Sequence, residues 1–117
     1  MNCLHPINTD PCCSCGTGEV IYEGTTPKYR VEIDVGVPMT DFEFQVQLIG
    51  NAGTLTIPKA QMSKDSENKY YMTFDTTRLG IGNVKAIVNA TISASGFPNN
   101  TRKEVYKIEN LFEIRRP

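Results

Sequence analysis

The stretch Pro11-Cys-Cys-Ser-Cys-Gly-Thr-Gly18 concentrates more potential chemistry than any other part of the chain. Cys12, Cys13 and Cys15 join Cys3 as the four cysteines, and the single histidine, His5, is near them in sequence. Thiolates and an imidazole can ligate a metal, form disulfides or act as a redox pair. Zinc takes four nitrogen or sulfur ligands in a tetrahedron, and these five residues suffice in number. Their spacing does not suit it. Structural zinc knuckles place two to four residues between paired cysteines so that both sulfurs turn inward. Here Cys12 and Cys13 are adjacent, and only Ser14 separates Cys13 from Cys15. Adjacent side chains of an extended chain point apart, and a vicinal disulfide lies outside the usual bridge geometry. A bridge from Cys3 to one of the later three remains open in an oxidising medium, whereas a cytoplasmic product starts reduced. Free cysteine otherwise packs as a small apolar residue. Set among Leu4, Pro6, Ile7 and Pro11, the cysteines read as packing residues of an apolar arm that docks on a surface. No metal-ligating, cofactor-binding or catalytic residue is assigned.

Elsewhere the parts of an active site are lacking. His5 is alone, no serine sits in a nucleophile turn, and no pair of carboxylates has a setting that would drive their pKa values apart. Asp34 and Asp75-Thr-Thr-Arg78 are acids at strand ends, positions that solvated turn residues ordinarily occupy. Gly80-Ile-Gly82 lacks the third glycine and the strand-to-helix setting of a phosphate cradle and reads as a tight turn. Twelve basic residues against thirteen acidic ones give a formal net charge of -1. That balance gives no footprint for nucleic acid. No apolar run approaches the roughly 18 residues of a membrane span, and Met1-Asn-Cys-Leu-His-Pro6 resembles no signal peptide. The expectation is therefore synthesis in a cytoplasm, no nucleic-acid partner and no membrane. The sequons at Asn89 and Asn99 carry no weight without secretion.

The elements that would position any site are strands. With 117 residues, 39% of them hydrophobic, the chain is one domain of ordinary size, able to bury a core without staples. Composition changes after Gly18. Residues 1–18 carry one charge, Asp10, and no structural period, so they read as an extended cysteine-rich arm; residues 19–117 are the domain. Tyr29, Val31, Ile33 and Val35 alternate with charged residues, as do Phe42, Phe44, Val46 and Leu48 with Glu43, Gln45 and Gln47. Further strands are expected at Thr54–Ile57, Tyr70–Asp75, Val84–Ile92 and Lys103–Arg115, the last kinked near Asn110. Gly36–Asp41, Gly50–Gly53 and Gly96–Asn100 are turns, Lys59–Met62 one helical turn, and Lys64–Lys69 a polar loop. About seven short strands with turns every 8 to 12 residues read as an all-β, immunoglobulin-like antiparallel sandwich. The cysteine pair and tryptophan of true immunoglobulin cores are absent. Arg102, Lys103, Lys107, Arg115 and Arg116 on the final strand would blunt an exposed edge or set a partner's register.

Gly36-Val-Pro-Met-Thr-Asp-Phe-Glu-Phe44 adds a resemblance. Together with Lys59, Met62, Tyr70-Tyr71, Asp75-Thr76, Leu79-Gly-Ile-Gly82 and Arg102-Lys-Glu-Val105, it resembles small immunoglobulin-like virion domains of crAss-like and related Bacteroides phages. These motifs are turn and strand signals, spread over residues 28–114. The resemblance implies a non-enzymatic structural protein located in the virion, of capsid auxiliary, head-fibre or baseplate adaptor type. Its partners would be other virion proteins, capsid or tail and fibre subunits, and it would form a homo-oligomer, with the arm as attachment element. Two other classes stay open. One is a host-facing adhesion module that uses the β face or the Gly96–Asn100 loop to bind glycan or cell-surface protein; the other is a small zinc or redox protein using the N-terminal cysteines.

Overall fold

In the computed structural model the described residues are 3–6, as a strand, and 19–117. The cleanest alternation in the sequence lies at the centre of the larger sheet. β4 (Glu43–Ile49) sends Phe44, Val46 and Leu48 inward, and β8 (Gly82–Ser93) sends in Val84, Ala86, Val88, Ala90 and Ile92. The two pair antiparallel, with Phe44 opposite Ala90 and Leu48 opposite Ala86. Large side chains thus meet small ones, which lets the layer interdigitate. β5 (Thr54–Pro58) flanks β4. β9 (Thr101–Arg115) flanks β8, and β2 (Glu19–Tyr22) runs parallel to β9, giving the order β2-β9-β8-β4-β5. The second sheet has the order β1-β3-β7-β6, from β1 (Cys3–Pro6), β3 (Lys28–Glu32), β6 (Ser63–Ser66) and β7 (Lys69–Thr73).

The two sheets face each other across one apolar core. Tyr29 of β3 lies 5.7 Å from Phe112 of β9 and 5.8 Å from Phe74, and Phe44 of β4 meets Tyr70 of β7 edge-on at 5.2 Å. Such tilted pairs add about 0.5–1.5 kcal/mol each beyond their burial. Met39, fully buried in the turn after Pro38, plugs the end of this core, and its sulfur accepts the Ile33 N–H at 3.4 Å. Where the chain leaves β5 for β6, a short 3-10 turn, Lys59–Gln61, carries an inward lysine. Its ammonium donates to the carbonyls of Phe42 (2.8 Å) and Thr40 (3.2 Å) and lies over the rings of Phe44 and Tyr70.

Three expectations are corrected here. Cys3–Pro6 is a strand paired with β3, although the arm shows no strand period; backbone pairing to an existing edge needs no alternation. Lys64, Asp65 and Ser66, the start of the expected Lys64–Lys69 loop, belong to β6. Its four residues are all exposed because it lies at a sheet edge, where no face is committed to the core. Among the described residues there are nine strands rather than about seven. β2 covers β9 only over Phe112–Arg115, so Arg102, Lys103 and Lys107 lie on a stretch of β9 that no described strand pairs on that side. The kink near Asn110 is a bulge. Val84 pairs with Phe112 but Ala86 with Ile108, so β9 has two extra residues there, and Leu111 and Phe112 are both buried.

Two loops meet at one end of the sandwich. The Gly50–Gly53 hairpin abuts Leu79–Gly82, with Ala52 N–H donating to Leu79 O (2.9 Å) and Asn51 Nδ2 to Ile81 O (2.7 Å). A Cβ on Gly80 would stand 2.6 Å from that of Ala52, and φ there is +82°. Nearby, Thr76 is the single fully buried polar residue among those described. Its hydroxyl accepts the Gly24 N–H (3.0 Å) and donates to Thr25 O (2.8 Å), fastening the β2–β3 connection to the turn after β7. Thr76→Val is expected to cost about 1–3 kcal/mol by stranding both backbone groups. Urea unfolding would show this as a lower midpoint at unchanged slope. Gly80→Ala, opposed by both sterics and φ, should cost more than about 1 kcal/mol in the same assay.

Candidate interaction surfaces

The residues singled out for chemistry do not converge. Cys12, Cys13 and Cys15 lie outside the described residues; Cys3 and His5 fall in β1, in register with Glu32 and Arg30. Among the described residues no cluster of three or more His, Cys, Asp or Glu could hold a metal ion. Asp75 caps the 3-10 turn Thr76–Arg78, accepting from Thr77 N (3.0 Å) and Thr77 Oγ1 (2.7 Å). These bonds, with a smaller contribution from Arg78, hold its carboxyl below the ordinary value. Asp34 accepts the Gly36 N–H at 3.2 Å and lines an open hollow of 440 Å³ with Glu32, Val37 and Asn68. Glu32 is held in turn by Arg30, whose Nε is 2.6 Å away, an ionic contact rather than a well-angled hydrogen bond. Both acids serve local structure, and the glycines of Gly80-Ile-Gly82 serve the loop contact described above.

The outer face of the five-stranded sheet is the broadest organised surface. Register aligns Pro58, Gln45, Asn89 and Val105 across β5, β4, β8 and β9. This row crosses a shallow groove of 380 Å³ whose rim includes Glu43, Thr91 and Lys103. Val105 is 64% exposed there, the most exposed large apolar side chain described. The charges beside it are internally matched. Lys107 approaches Glu109 at 3.0 Å and Lys85 at 3.8 Å, and the Lys107 hydrogen bond leads the causes holding the Glu109 carboxyl below its usual range. Sequence reasoning missed the row, because it depends on the register of four strands. The legible signal was chemical: the outward positions Gln45, Gln47 and Asn89 are amides rather than charges. At the opposite end of the face from the Gly50 hairpin, the β8–β9 loop exposes Phe97, with Asn99 and Asn100 at positive φ.

These surfaces sit on an all-β fold of two facing sheets, a β-sandwich. No protein-family model matches the chain, and no curated protein matches it. Among solved structures it is similar to part of the endo-beta-1,4-mannanase from Thermotoga petrophila, with a TM-score of 0.53 and 15% identity. The match covers 100% of this chain and 20% of that one, so this chain spans about a fifth of the mannanase's length. At that identity the likeness is one of fold.

The Asp75 cap has a pH signature. Its bonds favour the ionised carboxylate, so its contribution is full above the ordinary aspartate value of 3.8 and is lost as pH falls through the lowered folded value. Asp75→Ala is expected to be less stable than the parent at about pH 7, with the difference shrinking toward about pH 3. Paired urea titrations at the two pH values check this.

Proposed function

We propose that the chain is an immunoglobulin-like domain that works by association, as a non-enzymatic structural subunit of a bacteriophage virion that joins other virion proteins. The strand orders β1-β3-β7-β6 and β2-β9-β8-β4-β5 correspond to the A-B-E-D and A′-G-F-C-C′ orders of that fold class. The bulk of the chain between residues 28 and 114 that resembles phage virion domains goes into this scaffold: Lys59, Tyr70, Asp75, Thr76, Leu79 and the two glycines each hold one connection or one core contact.

The observation that carries the associative reading is the β1–β3 ladder. Cys3, Leu4, His5 and Pro6 pair antiparallel with Glu32, Val31, Arg30 and Tyr29, so the N-terminal segment docks by adding a strand to a sheet edge. Backbone pairing is indifferent to most side chains, which makes the same mode available between subunits. Residues 7–18 separate β1 from β2, enough chain to reach a neighbouring subunit when extended, at about 3.3 Å per residue.

The test is incorporation. Particles assembled with the full chain, and with a chain lacking residues 2–16, would be banded by density and probed for the protein. The full chain is expected in the particle band at a fixed copy number; the truncated one is expected to fold and stay in the soluble fraction. Equal incorporation of the truncated chain would reject the arm as attachment element, and absence of the full chain from particles would reject the virion role.

A further inference from the structure

The groove on the outer face of the five-stranded sheet is walled by two rows of side chains. One runs Pro58, Gln45, Asn89, Val105 across β5, β4, β8 and β9; the other runs Glu43, Thr91, Lys103 across β4, β8 and β9. The rows stand two residues apart along each strand, roughly 7 Å. Phe44, Ala90 and Glu104 between them turn their side chains the other way, so the floor is backbone.

The walls hold recognition groups that the fold itself does not use. Among the described residues the carboxamides of Gln45 and Asn89 have no hydrogen-bond partner, Lys103 has no ion pair, and the amide atoms are not sealed from solvent. Other polar side chains close connections or hold one another, as Lys59, Thr76, Asp75 and Glu109 do. Gln45 and Asn89 are opposite in register, so their amides stand side by side at the middle of the groove. A carboxamide offers a donor and an acceptor together, the complement of a peptide group. The ends carry unlike charges. Glu43 keeps only a long contact with Lys59, 3.8 Å, and its side chain is 81% exposed; Lys103 stands two strands away, about 10 Å across the sheet.

We propose that this groove binds an extended peptide segment of another protein, laid across the strands, with its backbone held by Gln45 and Asn89, an acidic side chain against Lys103 and a basic one against Glu43. Extended chain rises about 3.3 Å per residue and presents alternate side chains on one face, so the two charged residues of the segment stand two or four positions apart. Val105 and Pro58 give apolar ground at the two ends of the amide row. A glycan fits less well, since neither wall has an aromatic ring for a sugar to stack on and the unlike charges favour a ligand that brings its own. The inference rests on the associative reading above and gives it a surface. Its test uses the isolated protein, so the groove and the virion role can fail separately.

A displayed library of random peptides, selected on the immobilised full chain, is the probe. Enriched sequences are expected to carry an acidic and a basic residue two or four positions apart. A peptide made from them should shift the amide resonances of Gln45, Asn89 and Val105 and leave those of β6 in place. Asn89→Ala, folded as the parent by circular dichroism, should weaken that peptide about three- to ten-fold. Lys103 is exposed, so Lys103→Glu should fold and reverse the selection, taking a basic residue where the parent takes an acidic one. Lys64→Glu, on β6, should leave the selection unchanged. No enrichment, enrichment indifferent to Lys103→Glu, or resonance shifts confined to another face would each overturn the peptide site. Cellohexaose shifting the same resonances where no peptide does would overturn it in favour of a glycan.

Discussion

Tyr29 is the side chain on which the two sheets close. It is fully buried on β3, its ring touches Phe74 and Phe112, and its hydroxyl donates to Glu19 of β2 at 3.4 Å. One residue therefore joins the four-stranded sheet to the centre of the five-stranded one and reaches the parallel strand beyond it. Burial, reinforced by the neighbouring Glu19 carboxylate, drives the phenol's pKa far upward, so the group stays a neutral hydrogen-bond donor. Phe74 and Phe112 stack at 5.6 Å beside it, and the bulge in β9 delivers Phe112 to that position. A regular β9 would place Leu111 and Phe112 on opposite faces; the two extra residues let both be buried.

The same sealing problem recurs wherever the chain changes sheets, and each crossing is solved with different chemistry. Between β5 and β6 it is a cation: the Lys59 ammonium replaces water with two carbonyls and two aromatic faces. After β7 it is a hydroxyl, since Thr76 satisfies one donor and one acceptor of the β2–β3 connection. Between β3 and β4 it is a thioether and a guanidinium, with Met39 filling the core and Arg102 Nη2 donating to Val35 O at 2.9 Å. These groups are polar because backbone leaving a sheet must be satisfied by something other than a ladder.

How much of this could be read in advance follows from what each signal measures. Period-two alternation measures burial of one face, so β4 and β8 were legible from Phe44 to Leu48 and from Val84 to Ile92. Strands at an edge bury no face, and β6, reading Ser-Lys-Asp-Ser, gave the same signal as a loop. β1 joins β3 through a backbone ladder, which residue type does not encode. Glycine punctuation announced turns, but the reason for Gly80 lies in Ala52, twenty-eight positions away. The surface row of Pro58, Gln45, Asn89 and Val105 was illegible for the same reason: adjacency across four strands is a property of topology.

Once the polar residues that look like chemistry are assigned to closing the sandwich, the surface divides by charge. The outer face toward β9 has Lys85 and Lys107 matched to Glu109, and the β6 edge carries its own charges. The β4–β5 hairpin has no charge from Phe44 to Pro58, and its edge strand ends in a proline whose ring faces the open side, which blunts further pairing without a charge. Leaving it neutral costs nothing in the monomer's core, because Thr54 and Thr56 point outward and Ile57 is already buried.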